Sequence, residues 1–156
     1  VEASLLASAE VFYMTDEQME MVREMEIRSI EGFCVDAADV ERDAKKIHEN
    51  WKYSASLEST TASLRFLPSS IVRECSSGEA VSWMMMSPFG EIANLFTMPS
   101  YRKRGLAELA ELNMLKMCVQ QNLRPFKYVD LTLTKLIEST RALPYWTSWE
   151  EYGEEE

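Results

Sequence analysis

At 156 residues the chain can bury one sizeable core and is too short for two, and 46% apolar residues with six Phe, six Tyr and four Trp exclude a disordered polymer. A formal net charge of −10 argues against the extended cationic surface that nucleic acid or anionic membrane binding needs, and no apolar run reaches the length of a membrane span. Three cysteines without a CxxC pair (Cys34, Cys75, Cys118) predict reduced, mostly buried thiols in an intracellular compartment, mitochondrial or cytoplasmic; with His48 as the single histidine they predict no metal site.

The chain starts at Val1 with no signal pattern after it, which predicts a processed or truncated piece. Residues 1–31 mix Met14, Met21, Met25 and Arg28 with Glu17, Glu20, Glu24 and Glu31 at loosely helical spacing, predicting an amphipathic leading helix or a linker. Phe33-Cys34-Val35 reads as a short strand, and Asp36 as the cap of a helix whose Val40, Ala44, Ile47 and Trp51 form one apolar stripe. Ser54 to Ser63 is Ser/Thr-rich and reads as a loop with a single helical turn, ending at Leu64-Arg65-Phe66-Leu67-Pro68. Ile71-Val72-Arg73, Ala80 to Met86 and Glu91 to Met98 are apolar runs separated by the short turns Ser76-Ser77-Gly78 and Ser87-Pro88-Phe89-Gly90, the pattern of an antiparallel meander.

Leu106 to Gln121 is the strongest helical pattern, broken by Asn122-Leu123-Arg124-Pro125. Phe126 to Leu133 alternates as a strand, and a strand, a crossover helix and a second strand predict a right-handed parallel pair of Glu91–Met98 with Phe126–Leu133. A short helix, Lys135 to Ala142, and an aromatic tail of Tyr145, Trp146, Trp149 and Tyr152 follow, with five acids from Glu150 onward as a solvated end. The expected fold is α/β (α+β), a mixed sheet built on an antiparallel meander with one parallel pair joined by a crossover helix. The expected organisation is 1–31 as leader, 32–152 as the functional domain and 153–156 as an acidic tail.

The segment Thr97-Met98-Pro99-Ser100-Tyr101-Arg102-Lys103-Arg104-Gly105-Leu106-Ala107 stands apart. No Asp or Glu occurs between Ile92 and Ala107, so an acidic chain places a cationic loop where its strongest helix begins. Main-chain N–H groups at a helix start are free to donate and the helix dipole adds positive potential there, so this loop suits a polyphosphate. Gly105 permits close backbone approach, amides from Lys103 to Ala107 can cradle a pyrophosphate, and Arg102, Lys103 and Arg104 each add about 1 kcal/mol where exposed. A basic turn that merely balances an acidic protein has the same composition.

Set between a strand and a helix, Arg102-x-x-Gly105-x-Ala107 resembles the acyl-CoA loop of the GNAT acyltransferase superfamily. From roughly Gly32 to Trp149 the chain is similar to the carboxy-terminal half of the glycine N-acyltransferase family. That likeness rests on Gly32-Phe33, Trp51-Lys52-Tyr53, Val81-Ser82-Trp83 and above all Gly90-Glu91 followed by Pro99-x-Tyr101-Arg102-x-x-Gly105-Leu106. It implies an acyl-CoA-dependent N-acyltransferase that conjugates a small amino acid such as glycine, with acyl-CoA as co-substrate and no metal. The main chain of Phe96, Thr97 and Met98 would pair with the pantetheine arm, Arg102 to Ala107 (with Leu106) would hold the phosphates, and Thr134, where those proteins carry Asn, would join the CoA site. Their Trp-containing tail is only loosely echoed here, and they carry another half-domain upstream, so the resemblance leaves room for such a half-domain or a second copy as partner.

Acyl transfer to an amine needs an uncharged nitrogen, and the resemblance gives the base's role to Glu91. A carboxylate opening an apolar strand becomes a stronger base as water is removed, although Glu91 also directly follows the Phe89-Gly90 corner, where a solvated turn glutamate would sit. A main-chain N–H near Thr97 or Met98 would polarise the thioester carbonyl, without a covalent acyl-enzyme. Cys118 and His48 read as structural, Met84-Met85-Met86 as core on one face and an acyl pocket on the other, and Tyr145 as a candidate acid for the departing thiolate. Two other readings fit: an acetyltransferase of a polyamine or protein amine, suited by the acidic surface, and a non-catalytic acyl-CoA-binding module.

Overall fold

The computed structural model describes residues 8–51 and 56–149. Its elements in chain order are β1 (Ala9–Tyr13), α1 (Asp16–Glu24), β2 (Phe33–Asp36), α2 (Val40–Glu49), α3 (Leu57–Phe66), β3 (Ser69–Glu74), β4 (Ala80–Met86), β5 (Ile92–Thr97), a 3-10 turn (Pro99–Tyr101), α4 (Leu106–Gln120), β6 (Phe126–Asp130), α5 (Thr134–Arg141) and β7 (Thr147–Ser148). Contacts divide the chain into two units, residues 26–117 and residues 1–25 with 118–156. Lys52-Tyr53, Tyr152, the five terminal acids and the tail at 153–156 lie outside the described residues.

The unit of residues 26–117 is the expected meander, with sheet order β2-β3-β4-β5 and every neighbour antiparallel. One sheet face packs Ile71, Ala80, Trp83 and Met85 against Ala44 and Ile47 of α2 and Leu64 of α3. The other face sets Val72 and Val81 against Leu106, Leu109 and Ala110 of α4. Val81 belongs to the second face because the β3–β4 register shifts between Val72 and Arg73, a bulge that breaks strict alternation. Met84, Met85 and Met86 are all buried, so both faces of β4 are core and the side expected to line an acyl pocket is covered.

Two local expectations change here. The cap of α2 is Asp39, whose Oδ1 accepts from Arg42 N–H at 3.3 Å; Asp36 instead ends β2 and accepts from Ala37 N–H at 2.9 Å. Ser54 to Ser63 is no loop in its described part: Ser56 caps α3 by accepting from Ser59 N–H at 3.0 Å, and Thr61 Oγ1 donates back to the Leu57 carbonyl at 2.7 Å. Hydroxyls turned onto their own helix hide its amphipathic pattern from a composition reading. Across the same sheet face, Arg73 grips Asp43 of α2 in a two-pronged pair, Nη1 to Oδ1 at 2.9 Å and Nη2 to Oδ2 at 2.6 Å, with both side chains buried. That carboxylate, with Asp36 at 3.3 Å from Nε, holds the Arg73 guanidinium above its ordinary pKa.

The unit of residues 1–25 and 118–156 holds a second antiparallel sheet of order β6-β1-β7. In it the leader provides a strand as well as the expected helix. Glu10 and Phe12 of β1 are buried while their neighbours are half-exposed, an alternation in which a glutamate occupies a core position. Glu10 is satisfied by Arg141 of α5, whose Nε donates to its Oε2 at 3.0 Å. The helix α1 starts with a capping box, Thr15 accepting from Gln18 N–H at 3.2 Å and Gln18 Oε1 accepting from Thr15 N–H at 2.9 Å. Gln18 Oε1 also accepts from the Thr147 hydroxyl at 2.7 Å, beside β7.

The α/β fold class with its antiparallel meander is as expected, but the parallel ladder of Glu91–Met98 with Phe126–Leu133 is not among the described pairings. The strand β6 pairs with β1 instead, and β5 and β6 are each the edge of their own sheet. The strand also stops at Asp130, whose Oδ1 accepts from Thr132 N–H at 2.8 Å and closes a turn.

Candidate active site

The β5 strand and the loop after it build a cleft from backbone geometry. Phe96 stands opposite Trp83 and Thr97 opposite Ser82, and Met98 N–H donates to the Val81 carbonyl at 2.8 Å. Hydrogen-bonded and non-hydrogen-bonded pairs alternate in an antiparallel ladder. Phe96 and Met98 therefore direct their main-chain groups at β4, and Thr97 turns its own toward the open edge. There the Thr97 carbonyl accepts from Arg102 Nε at 2.9 Å. Just before it, two residues of β5, Asn94 and Leu95, oppose only Met84, and Asn94 adopts φ 56°, a bulge that bends the edge.

Pro99–Tyr101 forms the 3-10 turn, and Lys103 (φ 63°) and Gly105 (φ 78°) take left-handed conformations before α4 begins. A Cβ at Gly105 would meet Ile30 Cδ1 at 3.6 Å, an ordinary contact, so its conformation rather than lack of space calls for glycine. Leu109 N–H is the first amide of the helix to bond backward, to the Gly105 carbonyl at 3.2 Å. Among the described residues the six amides from Lys103 to Glu108 have no internal acceptor. Five of these six residues, all but Arg104, border a cleft of about 470 Å³ lined by Leu95 to Thr97, Tyr101 to Lys103 and Gly105 to Glu108. That volume is in the range of small-molecule sites, and the donor row matches a pyrophosphate.

The cations of the loop are anchored to different degrees. Arg102 lies over the Phe96 ring at 5.4 Å while holding the end of β5, and Arg104 lies over Tyr101 at 5.4 Å. Tyr101 donates its hydroxyl to Glu74 Oε2 at 3.0 Å, and Ser77 and Ser76 donate to the other oxygen of that carboxylate. The Tyr101 hydroxyl first, then the serines, keeps Glu74 below its ordinary pKa, and Glu74 in turn raises that of Tyr101. Leu95 and Glu108 line the cleft although no sequence motif points to them, and Tyr101, inside the motif next to Arg102, lines it without a role assigned from sequence.

Glu91 stands at the opposite end of β5. Its carbonyl accepts from Ser87 N–H at 2.9 Å, closing the turn before the strand, and by register it lies on the face that carries Met85 and Ala93. The residue is half-buried, and its Oε2 is buried with no hydrogen-bond partner among the described residues. An unpaired carboxylate oxygen shielded from water is costly and calls for a role. Glu91 and Thr134 are not among the residues lining the cleft, and Thr134 starts α5 in the other unit. Tyr145 is buried beside Trp146 in that unit, with ring centroids 6.3 Å apart. His48 Nδ1 lies 3.3 Å from Thr60 Oγ1 between α2 and α3. Burial pushes the Cys118 thiol up to about 12, so it is a protonated core thiol at neutral pH.

The family model for FR47-like proteins matches residues 70–151, just over half of the chain. No curated protein matches it. Among solved structures, a Drosophila protein superposes with a TM-score of 0.76 at 18% identity, covering 88% of this chain and 46% of its own. A GNAT-family protein from Novosphingobium aromaticivorans gives 0.59 at 13% identity, covering 90% and 59%. One from Xanthomonas campestris gives 0.57 at 15%, covering 74% and 87%. The chain thus spans about half the length of the first two, and at these identities the likeness is one of fold. From the matched model and these superpositions, the chain belongs to the FR47-like protein family and has the fold of GNAT acetyltransferases.

Proposed function

We propose that the protein transfers an acyl group from acyl-CoA to the amino group of a small amino acid, glycine or a close relative. The observation that carries this reading is the make-up of β5: a donor-lined cleft at its carboxyl end and, just before its start, a half-buried glutamate with one shielded oxygen that lacks a partner among the described residues. In the proposal the amides of Lys103 to Ala107 and the cations Arg102, Lys103 and Arg104 hold the CoA phosphates. Thr97, whose main chain faces the open edge, pairs with the pantetheine arm; Phe96 and Met98 fix its position through β4.

Glu91 is the base. It takes the proton from the ammonium form of the acceptor, the freed amine attacks the thioester carbonyl, and CoA leaves as the thiolate to be protonated. Positioning of the two substrates lowers the barrier further. The preference for glycine is supported by the Gly90-Glu91 and Pro99-x-Tyr101-Arg102-x-x-Gly105-Leu106 pattern. The net charge of −10 favours a second reading, with a polyamine or protein amine as acceptor.

Thiol release from acetyl-, benzoyl- and long-chain acyl-CoA separates these readings. Turnover with glycine and none with spermidine supports the first, and the reverse supports the second. A Glu91→Gln variant with wild-type turnover removes Glu91 from the mechanism.

A further inference from the structure

Two of the three cysteines are exposed, against the expectation of mostly buried thiols: Cys34 on β2, and Cys75 in the turn just past β3. Cys34 stands opposite Arg73, and Cys75 N–H donates to the Gly32 carbonyl at 2.9 Å. The two cysteines are therefore diagonal neighbours on one sheet face, and the Cys34 thiol donates to the Arg73 carbonyl at 3.8 Å, on the strand that runs into Cys75. The neighbouring Cys75 side chain first, then desolvation, makes the Cys34 thiol keep its proton to higher pH than an isolated thiol. Diagonal Cα atoms in a sheet are roughly 7–8 Å apart, just beyond the span of a relaxed disulfide, so closing the bond requires the backbone to move. Cys75 lies in a turn rather than a ladder, so the shift needed to close the bond falls on the more adaptable side.

We propose that Cys34 and Cys75 form a reversible disulfide, with a small-molecule disulfide of the glutathione type as oxidant. The Cys75 thiolate attacks the oxidant and expels one small thiol, leaving a mixed disulfide. Cys34 then gives up its proton and attacks the Cys75 sulfur, expelling the second small thiol. Two protein thiols become one disulfide and one small disulfide becomes two thiols, so atoms and electrons balance. A bond closed at the limit of its reach is readily reduced again, as a regulatory disulfide must be.

The position gives the bond something to act on. Glu74 lies next to Cys75 in sequence and accepts the Tyr101 hydroxyl at 3.0 Å, and Tyr101 lines the cleft. Drawing Cys75 toward Cys34 shifts the carboxylate that fixes this wall. The disulfide itself rests on the cysteine pair alone; its effect on ligand rests on the acyl-CoA reading of the cleft.

The test treats the native full chain with excess glutathione disulfide. The accessible thiol count should fall by two, digestion should yield a peptide linking positions 34 and 75, and dithiothreitol should reverse both. Cys34→Ser should instead keep a glutathione adduct on Cys75. Lasting adducts on the wild type without a link, or two unreacted thiols, overturn the proposal. The linked chain should bind acetyl-CoA several-fold more weakly than the reduced one, and the Cys34→Ser, Cys75→Ser double variant should ignore the oxidant. Equal affinity of linked and reduced chains overturns the coupling to the cleft. Failure of the reduced chain to bind any CoA ester counts against the cleft reading and leaves the disulfide standing.

Discussion

Asp43 and Glu91 are carboxylates that belong to the same four-stranded sheet unit, yet their surroundings differ in kind. Asp43 accepts two hydrogen bonds from the Arg73 guanidinium and a third from its own helix cap, Asp39 N–H at 2.8 Å. Glu91 has one oxygen that is buried and accepts nothing from the described residues. A fully satisfied buried pair ties α2 to β3, and removing either partner leaves a stranded charge. A shielded carboxylate oxygen without a partner adds nothing to packing, and it is the feature that the proposed role as base would explain. The more deeply buried carboxylate, Asp43, has its partners in place, while the half-buried Glu91 keeps one shielded oxygen without any among the described residues.

Substitution should split them accordingly. Glu91→Gln is expected to lower kcat/KM by about 10² to 10⁴-fold, the usual contribution of a positioned base, while its thermal midpoint and CoA affinity stay at wild-type values. Turnover assays beside differential scanning calorimetry read both. Asp43→Asn should do the reverse, losing up to about 3 kcal/mol of stability in urea titration because the buried Arg73 keeps only the exposed Asp36 as counter-charge, with turnover per folded molecule retained.

Smaller effects belong to the cleft. Replacing Lys103 or Arg104 by Ala should weaken CoA binding by about 1 kcal/mol each, roughly five-fold, and less at high salt. Gly105→Ala should cost about 1 kcal/mol of stability from its left-handed backbone rather than from crowding. Tyr101→Phe makes the least change, and its signature is in pH. Because the folded pKa of Glu74 is lowered, the contact stabilises above the ordinary carboxylate range and is lost as pH falls through the folded value. Because that of Tyr101 is raised, the contribution also holds below the ordinary tyrosine range and is lost on the alkaline side. Acid and alkaline unfolding midpoints should therefore both move toward neutrality in the variant.

Local pattern carried the reading wherever structure was local. The meander, α4 and the cationic loop were legible because their periods and turn residues sit within a few positions of one another. The strand β1 was not: its buried Glu10 breaks the apolar alternation and finds its partner in Arg141, near the other end of the chain. With β1 unseen, β6 had no partner except β5, and the parallel ladder was expected in its place. The helix α3 was hidden by hydroxyls that bond to their own backbone. In the site, the order strand–loop–helix was readable, but Tyr101's tie to Glu74 and the unpaired oxygen of Glu91 depend on tertiary contacts. The Cys34–Cys75 contact likewise comes from strand register across a long sequence separation.

The central claim, a cleft at the start of α4 made for acyl-CoA, is tested most directly by calorimetric titration of the full chain. Acetyl-, benzoyl- and long-chain acyl-CoA are each added to wild type and to a Lys103→Glu, Arg104→Glu variant. The account predicts saturable binding of at least one ester by the wild type, weakened at least tenfold in the variant and by rising salt. Absence of binding by all three esters, or equal binding by both proteins, would contradict it.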